Sequence, residues 1–347
     1  MAEPQKNKTE AIVLARLSAL GDVAMTIPAV YDLCRAYPRN RVVLVTRSWM
    51  TGMFVNPPSN LTVEGLDLKN DYKGVLGIYR LSKYLTGKYH IKVFIDLHDV
   101  LRTKILRCFF KLKGVRVTVI DKGRKEKKKL VALGAAGYFK CGGKELPTTL
   151  QRYRDTISRA GYDSPEEFKP LFESKVVTDG VLRIGIAPFA AHEGKIYPLD
   201  KMSQVVDALA EKDNTEIYLF GAGDEESAIL ESWRKERQNV INMAALRKGL
   251  ASEMELMATL DVMLAMDSGN MHLAAVAGTS RIVSVWGATH PSAGFAPYRF
   301  DAEDMIGSET ECRPCSVYGN KPCRYGDMRC LNSISTQQIV DKVLKNS

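Results

Sequence analysis

Four short segments of this 347-residue chain carry acidic, basic or small residues directly after an apolar run. The first is Arg16-Leu17-Ser18-Ala19-Leu20-Gly21-Asp22, after Ala11–Ala15. Asp22 lies where the cap of the helix that follows would lie, and Gly21 allows a tight turn. The second is Asp267-Ser268-Gly269-Asn270-Met271-His272, after Val262–Met266. Small residues let a ligand approach the backbone, and amides at a helix N-terminus favour phosphate. His272, one turn in, can face the same ligand or serve as a hydrogen-bonded helix histidine. The third is Ala187-Pro-Phe-Ala-Ala-His-Glu-Gly-Lys195. Lys195 offers a mobile cation to a diphosphate, or is a solvated loop lysine. The fourth is Gly221-Ala-Gly223-Asp224-Glu225-Glu226. A carboxylate there can accept hydrogen bonds from a ribose, or belong to an acid-rich first helical turn.

These segments need elements to position them. The branched runs Ala11–Ala15, Arg41–Thr46, Val93–Leu97 and Val115–Ile120 read as strands. A helix is predicted from Val23 to Ala36, ending before Pro38, and another follows the third strand through about Phe110. Residues 121–175 are less regular, with a basic run Lys122–Lys129 and a helix at Leu150–Ala160. Alternation restarts with strands at Leu182–Ala187, Thr215–Phe220, Val262–Met266 and Arg281–Trp286. Helices are expected at Leu199–Lys212, Asp224–Glu236 and Asn270–Ala277. Strands alternating with helices imply parallel βαβ units. Two such arrays, joined by a hinge near residues 160–180, give an α/β chain of two Rossmann-like domains, 1–170 and 171–347. Ligands of open parallel sheets sit beyond the carboxyl ends of the strands, so a central cleft between two facing sheets is the expected site.

Composition narrows the classes. No run of about 18 apolar residues is present, and MAEPQKNKTE reads as a short polar tail without a signal-peptide core. The expected compartment is the cytoplasm, with reduced thiols. The formal charge of +9 is divided unevenly. Residues 1–175 hold 32 Lys and Arg against 17 Asp and Glu, and residues 176–347 hold 17 against 23. The basic half suggests a polyanionic partner. A nucleic-acid module is a rival reading, but that half has no aromatic nucleic-acid motif. A nicotinamide dehydrogenase would need G-x-G-x-x-G, and the first loop is neither that nor a Walker A loop. Arg102, in Asp96-Leu-His-Asp-Val-Leu-Arg102, fits a phosphate or acidic-sugar contact. Lys122–Lys129 is either a solvated loop or a segment lying over an anionic membrane leaflet. Cys312, Cys315, Cys323 and Cys330 are compatible with zinc, disulfides or reduced packing, while Cys34, Cys108 and Cys141 read as small core residues.

The run Arg16-Leu-Ser-Ala-Leu-Gly-Asp-Val-Ala-Met-Thr-Ile-Pro28-Ala resembles the opening signature of the lipopolysaccharide heptosyltransferases, the ADP-heptose-using glycosyltransferase family 9. Asp267-Ser-Gly-x-x-His272-Leu-Ala-Ala, followed by Val285-Trp-Gly-Ala-Thr289-x-Pro291, resembles its second signature, and Lys195 before Tyr197-Pro198 its donor-loop lysine. The resemblance spans nearly the whole chain. It implies a GT-B fold and an inverting transfer of heptose from ADP-heptose to the lipopolysaccharide inner core, with no metal and no cofactor. It implies Asp22 as catalytic base, with Arg16, Ser18 and Arg102 toward the acceptor. Lys195, Glu225, Asp267, Ser268, Gly269 and His272 would lie toward the donor, although Glu225 and Glu226 are not separable. It further implies a lipid A-core acceptor at the inner membrane surface, a peripheral monomer and no nucleic-acid partner. The donor loop reads Lys195-Ile196-Tyr197-Pro198 where the family more often has Lys-Arg/His-Trp-Pro. A different nucleotide sugar is therefore the alternative donor.

Overall fold

The structure, a computed structural model, describes residues 10–173 and 179–345. All but the last residue of the expected N-terminal tail, and part of the expected hinge, lie outside the described residues. The chain runs β1 (Glu10–Ala15), α1 (Leu20–Ala24), α2 (Thr26–Ala36), β2 (Arg41–Arg47), β3 (Leu61–Leu66), α3 (Gly74–Lys88), β4 (His90–Asp96), α4 (Leu101–Leu112) and β5 (Arg116–Val119). Then come α5 (Arg124–Lys140), α6 (Thr149–Arg159), β6 (Leu182–Ala187), α7 (Leu199–Ala210), β7 (Thr215–Leu219), α8 (Gly223–Arg234) and β8 (Val240–Asn242). The remainder is α9 (Met243–Leu246), α10 (Leu250–Met257), β9 (Val262–Met266), α11 (Gly269–Ala277), β10 (Arg281–Trp286), β11 (Met305–Gly307), α12 (Arg329–Asn332) and α13 (Thr336–Leu344).

Among the described residues, the first compact unit comprises 10–122 and 149–169. Its sheet has the order β3-β2-β1-β4-β5, with every pair parallel. β1 is central and wholly apolar after Glu10, as a strand covered on both faces must be. Ala11, Val13 and Ala15 share a core with Ile78, Leu81 and Leu85 of α3 and with Leu106 and Phe110 of α4. The expected helix over 23–36 is two helices, broken at Met25, and Gly21 lies inside the first of them.

Among the described residues, the second unit comprises 123–148, 170–173 and 179–345, with a parallel sheet in the order β11-β10-β9-β6-β7-β8. Ile184, Ile186, Leu264 and Val285 pack with Val205 and Leu209 of α7 and with Ile339 and Val343 of α13. A single boundary at residue 170 therefore does not describe the chain. Residues 123–148 belong with the second unit because Leu130, Tyr138 and Leu146 form a small core with Ala293. The stretch expected to be irregular thus contains α5, and the basic run covers its first turns. Lys127 in that run is buried, with Nζ 4.1 Å from the centre of the Phe295 ring.

Candidate catalytic and donor sites

In the first unit, β1 and β4 are neighbours, so the loops leaving their carboxyl ends lie side by side. Arg16 begins the loop that leaves β1. Its guanidinium pairs with the Asp22 carboxylate and donates 2.8 Å to the carbonyl of Leu97, just beyond β4. Asp22 is not the helix N-cap; Ala19 is. Asp22 sits in the first turn, and its Oδ2 accepts the Ala19 N–H at 3.2 Å, leaving the side chain a quarter exposed. The Tyr153 hydroxyl of α6 donates 3.0 Å to the Asp22 carbonyl, and the Arg16 guanidinium lies 5.9 Å from the Tyr153 ring centre.

His98 is the residue the sequence reading passed over. Its Nδ1 accepts the Leu17 N–H at 3.3 Å, and its Nε2 lies 3.4 Å from Ser18 Oγ. Burial, then the nearby cations Arg16 and Lys122, push its pKa down to about 3, so the ring is neutral. Asp96, fully buried, holds the turn that carries it by accepting the N–H groups of His98 and Asp99 at 2.9 and 2.8 Å. The available signal was the Asp96-x-His98 spacing at the end of a strand beside β1. Arg102 does not join this group. It is exposed at the start of α4 and makes no ion pair among the described residues. Arg107 faces inward instead, 3.4 Å from Asp96 and 3.3 Å from Asp99.

In the second unit, β9 lies between β6 and β10, which brings three loops together. Lys195 Nζ, from the loop after β6, is 2.9 Å from Asp267 Oδ2, and Thr289 Oγ1 donates 2.8 Å to the same oxygen. Lys195 Nζ also lies 5.9 Å from the Phe295 ring centre. The loops touch through backbone, the Ala288 N–H donating 2.8 Å to the Gly194 carbonyl. Glycine is required there, since a Cβ on Gly194 would stand 2.7 Å from the Gly319 carbonyl oxygen. Ser268 is the N-cap of α11 but makes no capping bond, and its buried Oγ has no hydrogen-bond partner among the described residues. Gly269 opens the helix and His272 is buried one turn in. A cation, a hydroxyl and the free amides of a helix start are what a diphosphate needs.

Glu225 stands apart from this group, exposed on α8 with no ion pair among the described residues. The two acids are separable: Glu226 Oε2 accepts the Ala222 N–H at 2.7 Å and so has a structural role. Tyr197, in the departing donor loop, is fully buried, its hydroxyl donating 2.9 Å to the Ile334 carbonyl. The C-terminal cysteines are free thiols, and no group of His, Cys, Asp or Glu among the described residues could hold a metal ion. Burial, then the neighbouring Cys315 and Cys312, raises Cys330 to about 11. Cys34 is buried as expected. Cys108 and Cys141 are exposed, because one lies on the outer face of α4 and the other just past α5.

Two parallel-sheet, Rossmann-like α/β domains of this kind define the GT-B class of glycosyltransferases. The model of glycosyltransferase family 9 (heptosyltransferase) matches residues 153–325, and the chain belongs to that family. A family 9 glycosyltransferase from Veillonella parvula is similar over 97% of this chain and 98% of its own, at 18% identity and a TM-score of 0.72. The E. coli heptosyltransferase WaaC with ADP matches 97% of this chain and 100% of its own, at 14% identity and a TM-score of 0.66. The E. coli ADP-heptose lps heptosyltransferase II matches 96% and 97%, at 16% identity and a TM-score of 0.63. At these identities the likeness is one of fold. No curated protein matches in sequence. Among the described residues, no helix is long and apolar enough to cross a membrane.

Proposed function

We propose that this glycosyltransferase transfers heptose from ADP-heptose to a lipopolysaccharide inner-core acceptor, inverting the anomeric centre without a metal. The observation that carries the reading is the grouping of Lys195, Asp267 and Thr289 beside the uncapped start of α11. Lys195, Ser268 Oγ and the first amides of α11 bind the diphosphate. They stabilise the negative charge that grows on it as the bond from the anomeric carbon breaks. Asp267 and Thr289 orient Lys195, and buried His272 supports the helix start. Glu225 is the proposed ribose contact. In the other unit, the acceptor hydroxyl attacks the anomeric carbon and gives its proton to Asp22, while ADP departs. Arg16 and Ser18 shape the acceptor side, with Arg102 offered to an acceptor phosphate. The acceptor is a lipid A-core molecule at the cytoplasmic face of the inner membrane, and the enzyme acts as a peripheral monomer.

The departure in the donor loop bears on the alternative donor. Tyr197 is spent on the core, so only Ile196, which is partly exposed, remains to alter sugar preference. A panel of nucleotide sugars, assayed with Asp22→Ala as control, tests the reading. Turnover of ADP-heptose that is lost in the control supports it. Turnover of another donor with none of ADP-heptose overturns it.

A further inference from the structure

Helices α3 and α4 pack side by side on one face of the first sheet, with the Tyr79 and Phe109 rings 5.3 Å apart between them. Their inward residues are accounted for by the core. Their outward faces are not polar in the ordinary way. On α4, Leu101, Cys108 and Leu112 recur at helical spacing on the side opposite Thr103, Leu106 and Phe110, with Ile105 between them partly buried against the core. On α3, Val75, Leu76 and Tyr79 do the same opposite Ile78, Leu81 and Leu85. Leu76, Leu101 and Leu112 are 78%, 74% and 84% exposed, and apolar residues gathered on one face mark an interaction surface where singly scattered ones do not.

The charges on these two helices have one sign. Neither helix contains an aspartate or a glutamate. Residues 72–95 hold five Lys and Arg, and residues 100–120 hold six, again with no acid in either stretch. Lys83, Lys104 and Lys111 are exposed on the same two helices, with Lys104 4.0 Å from Asp99. A second copy of this chain would bring cations against cations on such a face. A nucleic acid would leave the leucines in water. An anionic lipid surface satisfies both features, taking the leucines into the headgroup boundary and the lysines onto the phosphates.

We propose that the outer face of α3 and α4 is a membrane-docking surface specific for anionic phospholipid. The inference extends the proposed lipid-borne acceptor, but the docking is read without any sugar transfer, so either can fail alone. It also moves the membrane contact away from the run Lys122–Lys129, where Lys127 is buried against Phe295.

The test is flotation of the full chain with vesicles of phosphatidylcholine, with and without phosphatidylglycerol, over a range of salt. The full chain should float only with the anionic vesicles, and added salt should release it. Leu76→Gln/Leu101→Gln/Leu112→Gln should abolish flotation at low salt while keeping the wild-type thermal transition. Lys83→Gln/Lys111→Gln should weaken vesicle affinity roughly twentyfold or more, since each interfacial cation contributes about fivefold. Equal flotation of the triple-leucine variant overturns the proposal, as does equal binding to neutral vesicles. So does a salt-sensitive oligonucleotide complex in place of vesicle binding, or a wild-type dimer that the leucine variant dissociates.

Discussion

The Arg16 guanidinium and the Asp22 carboxylate form an ion pair at the point where β1 gives way to α1, and the arginine is the deeper partner, 8% exposed against 25%. Leu97 and the Tyr153 ring hold the guanidinium from behind. The carboxylate is thereby fixed in direction but kept at the surface of its unit, where a hydroxyl can reach it. If Asp22 is the base, Asp22→Asn should lower kcat by about 10²- to 10⁴-fold. Asparagine can still accept the Ala19 N–H but removes the charge opposite the buried Arg16, so the urea midpoint should fall modestly while the protein stays folded. Steady-state kinetics beside a denaturation curve decides this, and an asparagine variant with wild-type kcat removes Asp22 from the chemistry.

Lys195 and Asp267 form a second pair, 15% and 4% exposed, and their roles should separate. If Lys195 holds the donor diphosphate, Lys195→Gln should lower donor affinity roughly ten- to a hundredfold with acceptor KM little changed. Asp267→Ala leaves Lys195 without its buried partner and should cost about 3 kcal/mol of stability. Calorimetric titration with ADP and urea unfolding read the two effects independently. A stable Asp267→Ala protein would show that Thr289 or solvent replaces the carboxylate.

His98 ties stability to acid. Its pKa is about 3 in the fold, chiefly through burial, against an ordinary value of 6.5. A group with a depressed folded value takes up its proton more readily when unfolded. Its contribution to stability is therefore complete above pH 6.5 and is lost progressively as pH falls toward 3. His290, lowered to about 4 by burial and then by Arg313, acts in the same sense. Each histidine can add up to about 1.4 kcal/mol per pH unit to the slope within its window. His98→Gln should flatten the fall in thermal midpoint between pH 6.5 and 4. An unchanged slope would mean that other groups govern the acid limb.

Tyr197→Phe tests whether the departure in the donor loop is structural. It removes the hydrogen bond to Ile334 and leaves a buried carbonyl without its donor, which should cost about 1 to 2 kcal/mol. Donor KM should not move, because the ring lies in the core. A change in donor KM without loss of stability would place Tyr197 at the ligand after all.

What the sequence determined by itself is the part set by short-range periodicity and by motif. The buried strands β1, β2, β6, β9 and β10 stand out because both faces of a parallel sheet demand continuous branched apolar residues. The loops at Arg16–Asp22 and Asp267–His272 stand out because each joins such a strand to a helix. β3 did not stand out, since Glu64 sits within it and is balanced by Tyr84, Lys88 and Tyr89 from a distant segment. α3 was missed because glycines at 74, 77 and 87 weaken its local signal, while its stability comes from packing on the sheet. Tertiary structure alone decided the rest. Strand order placed His98 beside Ser18, and β9 between β6 and β10 carried Lys195 to Asp267. It also turned Arg102 outward and Arg107 inward, and moved residues 123–148 into the second unit. Each of these depends on contacts between segments far apart in the chain, which no local pattern encodes.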